Sequence, residues 1–190
     1  MIRVLIPYGT SEGHTARIAE YLADVIRHRG HEAYPVEIKR SDTLEPSGYD
    51  AVMVGASVHG GKHQRSVRNF VKKNRQALER LPSAFFSVSL AAQEDTEGAR
   101  KEVERYLENF VQQTGWRPRM IRVFAGALLY TQYGFVTRWI MRKIAREKGS
   151  LDLDTSRDYE YTDWQGVKRF AEQFLQTLTS QEAAGLARAG

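Results

Sequence analysis

Residues 2–19 read IRVLIPYGTSEGHTARIA, and this stretch decides the fold. An apolar segment at 3–7 runs through a turn of glycine and hydroxyl residues into a longer segment at 15–29. Apolar residues of the longer segment recur at helical spacing, namely Ile18, Ala19, Leu22, Val25 and Ile26. Gly30 then follows as a helix stop signal. The pattern predicts a strand, a short loop and a helix.

The rest of the chain repeats this alternation of strand and helix patterns. Further strands are predicted at 31–38, 49–55, 84–88 and 119–128, and further helices at 66–80, 97–113 and 163–178. The strands are apolar throughout, which is typical of a sheet that is covered on both faces. We therefore predict an α/β fold with a five-stranded, doubly wound parallel sheet of order 2-1-3-4-5.

One domain, residues 1–179, accounts for this pattern. The segment 129–159 lies between the last strand and the last helix and is far longer than the usual connection in α/β units. We expect an insertion to be built there. The tail 180–190 is small and polar, and it is predicted to fray.

Composition narrows the possible functions. The 190 residues contain no cysteine, which excludes disulfides, thiolate metal sites and thiol catalysis. The net charge is +5 and the pI about 9.5, so anionic partners are expected: nucleic acid, anionic lipid or an acidic small molecule. The sequence shows neither a secretory signal nor an apolar run of membrane-span length, and we therefore predict a cytoplasmic protein.

Three loops leave strand ends at the sheet edge where ligands of such folds bind. The loop 9–15 offers hydroxyls and backbone N–H groups at a helix N-terminus, which favours an anion, although an ordinary capped turn has the same local features. It lacks the Gly-Lys-Ser/Thr ending of a nucleotide-triphosphate loop and is not a dinucleotide fingerprint.

The other two loops are 55–63 and 87–92. The first contains Gly60 and Gly61, which allow close approach to a flat ligand, with His59, Lys62 and His63 expected at the mouth of the site. A flexible loop with surface histidines is the alternative. The second consists of small residues that would admit a flat ring.

The run Ile6-x-Tyr8-x-Thr10-x-x-Gly13-x-Thr15-x-x-x-Ala19-x-x-Leu22 resembles the FMN signature of flavodoxins, with Pro7 as its departure. The resemblance implies a flavodoxin-like fold, an FMN cofactor and no metal. Neither ring-contacting loop carries an aromatic residue of the kind that stacks on the flavin in many flavodoxins, which suggests a more open flavin face. The cofactor-binding residues so implied are Thr10, Ser11, Glu12, Gly13, His14, Thr15, Ala56, Ser57, Val58, His59, Gly60, Gly61, Ser87, Val88, Ser89, Leu90 and Ala91.

Almost the whole chain also resembles the menaquinone-dependent protoporphyrinogen oxidases. The resemblance implies an FMN-dependent oxidoreductase of heme biosynthesis that oxidises protoporphyrinogen IX to protoporphyrin IX and passes electrons to a membrane quinone. Some members have Arg-Tyr where this chain has His59-Gly60. No residue is predicted as a general base. The segments that carry the resemblance are 55–57, 70–73, 82–88, 116–118, 125–128 and 161–164.

The insertion has a charge pattern of its own. Between 131 and 148 it carries a net charge of about +4 with interleaved aromatic and aliphatic residues. Such a basic amphipathic helix is suited to peripheral contact with an anionic membrane, here the inner face of the cell membrane. Two other uses stay open: a helix packed on the domain, or a clamp that covers the flavin and holds the substrate propionates.

Other classes of function are alternatives to a quinone-linked oxidoreductase. A flavodoxin-type electron carrier has the same fold, but such carriers are typically acidic, whereas this chain is basic. A quinone reductase with a different donor, such as NAD(P)H, is a further alternative. A nucleic-acid binder is permitted by the charge, but no helix-turn-helix, zinc or RNA-recognition signature is present, so we predict no nucleic-acid partner. The sequence leaves the oligomeric state open.

Overall fold

The structure is a computed structural model that describes residues 1–39, 44–128 and 159–189. Apart from residue 159, the predicted insertion lies outside these residues. Its helical and membrane-binding character therefore stays a prediction.

A parallel sheet forms the centre of the fold. Its strands are β1 (Arg3–Gly9), β2 (Glu32–Glu37), β3 (Ala51–His59), β5 (Ser83–Ser89) and β6 (Met120–Ala125). They pair in the order β2-β1-β3-β5-β6, and every one of these pairings is parallel. Counting only the parallel strands, this is the predicted order 2-1-3-4-5, which is confirmed.

Among the described residues, three short strands were not predicted. β4 (Lys62–His63) pairs antiparallel with β3 and makes the sheet six-stranded. β7 (Ala127–Leu128) and β8 (Tyr159–Glu160) form a separate antiparallel pair. The last predicted strand, 119–128, is therefore divided between β6 and β7.

Helices cover both faces of the sheet. They are α1 (His14–His28), α2 (Arg65–Lys73), α3 (Arg75–Arg80), α4 (Glu97–Thr114) and α5 (Trp164–Ala189), with 3-10 turns at Pro46–Gly48 and Leu90–Gln93. Buried residues of α1 and α5 share one core cluster with the sheet, and those of α2, α3 and α4 share the other. Both faces of the central strands β1, β3 and β5 are thereby removed from water, which explains their apolar sequences. The edge strands β2 and β6 keep exposed positions.

Asn74 divides the helix that was predicted at 66–80. Its side chain is 9% exposed, and Nδ2 donates to the Phe70 carbonyl at 3.0 Å. Such local bonding of an asparagine to the backbone competes with a continuous helix. The apolar periodicity runs across the break, so the pattern alone predicts a single helix.

The last helix also differs from its predicted bounds. Among the side chains that the structure describes, Leu178 is the last buried apolar residue of this helix, and the prediction ended there. The alanine-rich segment that follows continues the helix to Ala189, so the backbone of the tail expected to fray is helical in the structure.

Close packing at Gly55 gives the first testable prediction. A Cβ at this position would lie 2.1 Å from Cζ of Phe86, a fully buried ring. We expect Gly55→Ala to lower the free energy of unfolding by about 3 kcal/mol, because the ring has no free space to move into. Urea denaturation measures this difference.

The matched control is Gly48→Ala, since a Cβ at Gly48 meets nothing within 4 Å. We expect this control to change stability by less than about 0.5 kcal/mol. Equal stabilities of the two variants would contradict the packing at Gly55.

Candidate functional site

Three strand ends lie side by side at one edge of the sheet. Gly9 at the end of β1 pairs with Ala56 of β3, and Ser57 pairs with Val88 of β5. The structure therefore brings the three predicted loops together. β1 leads to α1 on one face of the sheet, whereas β3 leads to α2 on the other, and ligands of open α/β sheets bind at such a switch point.

The first loop ends in the N-terminus of α1. Gly13 has φ of +81°, a left-handed conformation that glycine adopts without strain, and it provides no side-chain cap for the helix. The N-terminal N–H groups of a helix carry partial positive charge. An anion placed at this end of α1 would be stabilised.

Two buried hydroxyls stand beside this helix end. Neither Thr10 Oγ1 nor Thr15 Oγ1 has a hydrogen-bond partner among the described residues, and Thr15 is 1% exposed. Buried hydroxyls in proteins are nearly always hydrogen-bonded. Two such donors at a helix N-terminus fit a group with several acceptor oxygens, and a phosphate group meets that requirement.

His14, which directly precedes Thr15 in the sequence, is also buried. The Thr162 hydroxyl donates its proton to the Ala125 carbonyl at 2.8 Å, so its oxygen accepts from His14 Nε2 at 2.6 Å. This arrangement fixes the tautomer with the proton on Nε2. Nδ1 is buried and has no partner in the described parts of the chain. Burial lowers the pKa of His14, so the ring is neutral at pH 7.

Residues just before α5 and at its first position contact the start of α1. The Glu160 carboxylate accepts from Arg17 Nη1 at 2.8 Å and from Trp164 Nε1 at 2.6 Å. The Arg17 guanidinium also lies over the Trp164 ring, 5.6 Å from its centroid. Thr162 and Trp164 belong to one of the segments that carry the resemblance, and their contacts position the start of α1.

The second loop is a β-hairpin and not a flexible loop. β3 continues to His59 because Val58 pairs with His63 across a turn formed by Gly60 and Gly61. Both glycines have positive φ, as tight hairpin turns require. Ser57 and Val58 are half-buried, Ala56 is buried, and His59 and Gly60 are exposed.

The expectation that His63 lies at the mouth of the site is wrong. The side chain is 3% exposed, packs edge-on against Phe85 and Phe110, and its Nε2 lies 2.9 Å from Ser87 Oγ. Burial, together with the charge of Arg68, lowers its pKa to about 4. His63 is a neutral core residue.

The third loop divides into an interior and an exterior part. Ser87 bonds to His63 and Val88 lies in the core, so both can reach a ligand only through their backbone. Ser89 Oγ is buried without a partner among the described residues. Leu90 is exposed and Ala91 half-buried at the edge of the sheet.

Gln64 was missed by the sequence reasoning. Its side chain lies between the first two loops and bonds to Ser11 and to Ser57. No signal in the sequence marks this residue, because it stands alone before an amphipathic helix and its partners are distant in the chain.

Within residues 1–39, 44–128 and 159–189, no cluster of three histidine, aspartate or glutamate side chains is placed to hold a metal ion. None of the helices described there is long and apolar enough to cross a membrane.

Sequence comparison identifies the family of the chain. The Flavodoxin domain family matches residues 5–154. Protoporphyrinogen IX dehydrogenase [quinone] of Escherichia coli K12 is 34% identical over 172 residues, covering 90% of this chain and 94% of the relative. The protein of the same name from Leishmania major is 36% identical over 177 residues, covering 90% and 74%.

Solved structures share the fold. Oxidised flavodoxin 1 from Bacillus cereus superposes with a TM-score of 0.50 at 16% identity, over 92% of this chain and 97% of that protein. A flavodoxin from the domain Archaea gives a TM-score of 0.51 at 13% identity, over 94% and 99%. With a family match over most of its length and relatives above 30% identity, the chain belongs to the flavodoxin-domain family, together with these protoporphyrinogen IX dehydrogenases.

Proposed function

We propose that this protein binds FMN at the three strand ends and oxidises protoporphyrinogen IX to protoporphyrin IX, with a quinone as electron acceptor. The observation that carries the proposal is the pair of buried threonine hydroxyls at the N-terminus of α1, Thr10 and Thr15, which fit the FMN phosphate. The names of relatives that are 34–36% identical over 90% of the chain support the reaction and the acceptor.

In this proposal, the protein's own residues bind FMN and orient it. Thr10 and Thr15 donate hydrogen bonds to the phosphate, and the helix end adds its N–H groups. The hairpin at 56–61 and the strand end at 87–91 enclose the ring through backbone and small side chains. Bound FMN would supply the redox chemistry, taking hydrogen from the porphyrinogen and reducing the quinone to quinol.

Turnover under anaerobic conditions tests this function. Protein incubated with protoporphyrinogen IX and a menaquinone analogue should form fluorescent protoporphyrin only when FMN is present. Formation at the rate of a protein-free sample would contradict the proposed reaction. Bound FMN without porphyrin formation would favour a flavodoxin-type electron carrier or a quinone reductase with another donor, although the pI of about 9.5 is unlike that of typical acidic carriers.

We also propose that the segment 131–148 places the protein on anionic membranes, where the quinone resides. The support is compositional: basic residues alternate with aromatic and aliphatic ones in this segment, which lies outside the described residues. The protein should sediment with phosphatidylglycerol vesicles and not with phosphatidylcholine vesicles. We expect half-molar salt to release it, because each cation near the surface contributes about 1 kcal/mol that salt screens.

Charge-reversal variants test which segment is responsible for vesicle binding. The variant Arg138→Glu/Arg142→Glu is expected to lose vesicle binding, whereas Lys72→Glu/Lys73→Glu, which reverses two exposed charges on α2, keeps it. Equal loss in both variants would assign the binding to net charge and contradict the role of the insertion.

A further inference from the structure

Gln64 connects the two loops that are proposed to hold opposite ends of the flavin. Its Oε1 accepts the backbone N–H of Ser57 at 3.2 Å. Its Nε2 donates to Ser57 Oγ at 2.5 Å and to Ser11 Oγ at 3.1 Å. One side chain thus bonds to the phosphate loop after β1 and to the strand end of β3.

The position of this side chain is fixed by its surroundings. The backbone carbonyl of Gln64 accepts the first hydrogen bond of α2, from Arg68 at 3.1 Å. A Cβ at Gly9 would lie 2.8 Å from Gln64 Oε1, so the amide packs directly against the end of β1. Gln64 therefore stands at the start of α2, packed against the end of β1.

The chemistry of the partners also fixes the orientation of the amide. A backbone N–H can only donate, so the atom that faces Ser57 N must be the carbonyl oxygen. Nε2 then carries exactly the two protons that its two serine contacts need. Both hydroxyl oxygens act as acceptors toward Gln64, which leaves each serine's own proton to be donated elsewhere.

We propose that Gln64 is a positioning residue that turns the Ser11 and Ser57 hydroxyls into hydrogen-bond donors toward the flavin cofactor. The inference rests on the proposed function, since it requires FMN at this site. Its effect falls mainly on the phosphate, because Ser11 lies in the phosphate loop and phosphate oxygens only accept. A glutamate in place of Gln64 would keep the acceptor for Ser57 N and would draw both hydroxyl protons toward itself.

Two variants and two ligands test this role by equilibrium binding, followed by flavin fluorescence. Gln64→Glu should weaken FMN binding by about 100-fold or more, and Gln64→Leu by about 10-fold. Riboflavin, which lacks the phosphate, should lose less than about threefold in both variants. Gln176→Glu makes the same change of charge at an exposed position of α5 and should bind FMN like the wild type.

A cycle with Ser11→Ala separates positioning from a general structural role. In the Ser11→Ala background, Gln64→Leu should cause less than about a threefold further loss of FMN affinity, since the phosphate-loop hydroxyl that Gln64 orients is absent and only Ser57 remains. A full 10-fold loss in that background, or equal losses of FMN and riboflavin, would overturn the assignment while wild-type FMN binding stands. A wild-type protein that binds neither flavin would overturn the proposed function together with it.

Discussion

Thr15→Val should weaken FMN binding by about 10- to 100-fold, because the hydroxyl that valine lacks donates a hydrogen bond to a charged group. Riboflavin affinity should be unchanged, since riboflavin has no phosphate. Valine has nearly the same shape as threonine, so the substitution tests the hydroxyl and not the packing. Fluorescence titration with both flavins measures the two affinities.

The same substitution has a second expected signature in the FMN-free protein. Thr15 Oγ1 is buried without a partner among the described residues, so valine should leave the stability unchanged or raise it. Thr114→Val is the matched control, because Thr114 is also buried but its hydroxyl donates to the Phe110 carbonyl at 2.7 Å. We expect this control to lose about 1 kcal/mol of stability and no FMN affinity. A Thr15→Val protein that binds FMN like the wild type would remove Thr15 from the phosphate site.

Acid should destabilise the protein through His63. Its pKa is lowered to about 4 in the folded state, from an ordinary value of 6.5. The unfolded chain therefore binds a proton at higher pH than the folded protein does. The stability contributed by neutral His63 is complete above pH 6.5 and is lost as the pH falls toward 4, a loss of about 3 kcal/mol.

His63→Gln isolates this contribution. Glutamine keeps an amide that can bond to Ser87, and it does not titrate. Between about pH 7 and pH 4.5, the free energy of unfolding of the variant should therefore fall by about 2–3 kcal/mol less than that of the wild type. His59→Gln, at the exposed end of the same hairpin, should follow the wild type. Urea unfolding at the two pH values provides the data. Parallel losses in the wild type and His63→Gln would show that His63 is not kept neutral by burial.

The fold was predictable because its signals are local and repeated. Mostly apolar strands, six to nine residues long in the structure, alternate with helices of period 3.6, and this alternation is sufficient for a doubly wound parallel sheet. The errors occur where hydrogen bonds that apolar periodicity does not encode interrupt or extend an element. Asn74 interrupts a periodic helix through its own side chain, and β4 exists only because it pairs with β3.

The candidate site was predictable to the level of loops and not of side chains. The glycine and hydroxyl spacing of residues 9–15 predicts an anion site at a helix end, and the structure places this loop at the expected sheet edge. The sequence does not predict which histidine of the second loop is buried, because His59 and His63 are only four residues apart. The pairing of the hairpin strands places His63 in the core. Gln64 and Thr162 contact the loop from positions 53 and 148 residues away from their partners Ser11 and His14. No local pattern encodes such contacts.

The most direct measurement follows the visible spectrum of the FMN-loaded protein under anaerobic conditions. We expect protoporphyrinogen IX to bleach the oxidised flavin absorbance, and a menaquinone analogue added afterwards to restore it. That result would identify the donor, the cofactor and the acceptor in one experiment. Bound FMN that protoporphyrinogen IX does not bleach would contradict the proposed reaction, and a protein that retains no FMN would contradict the site itself.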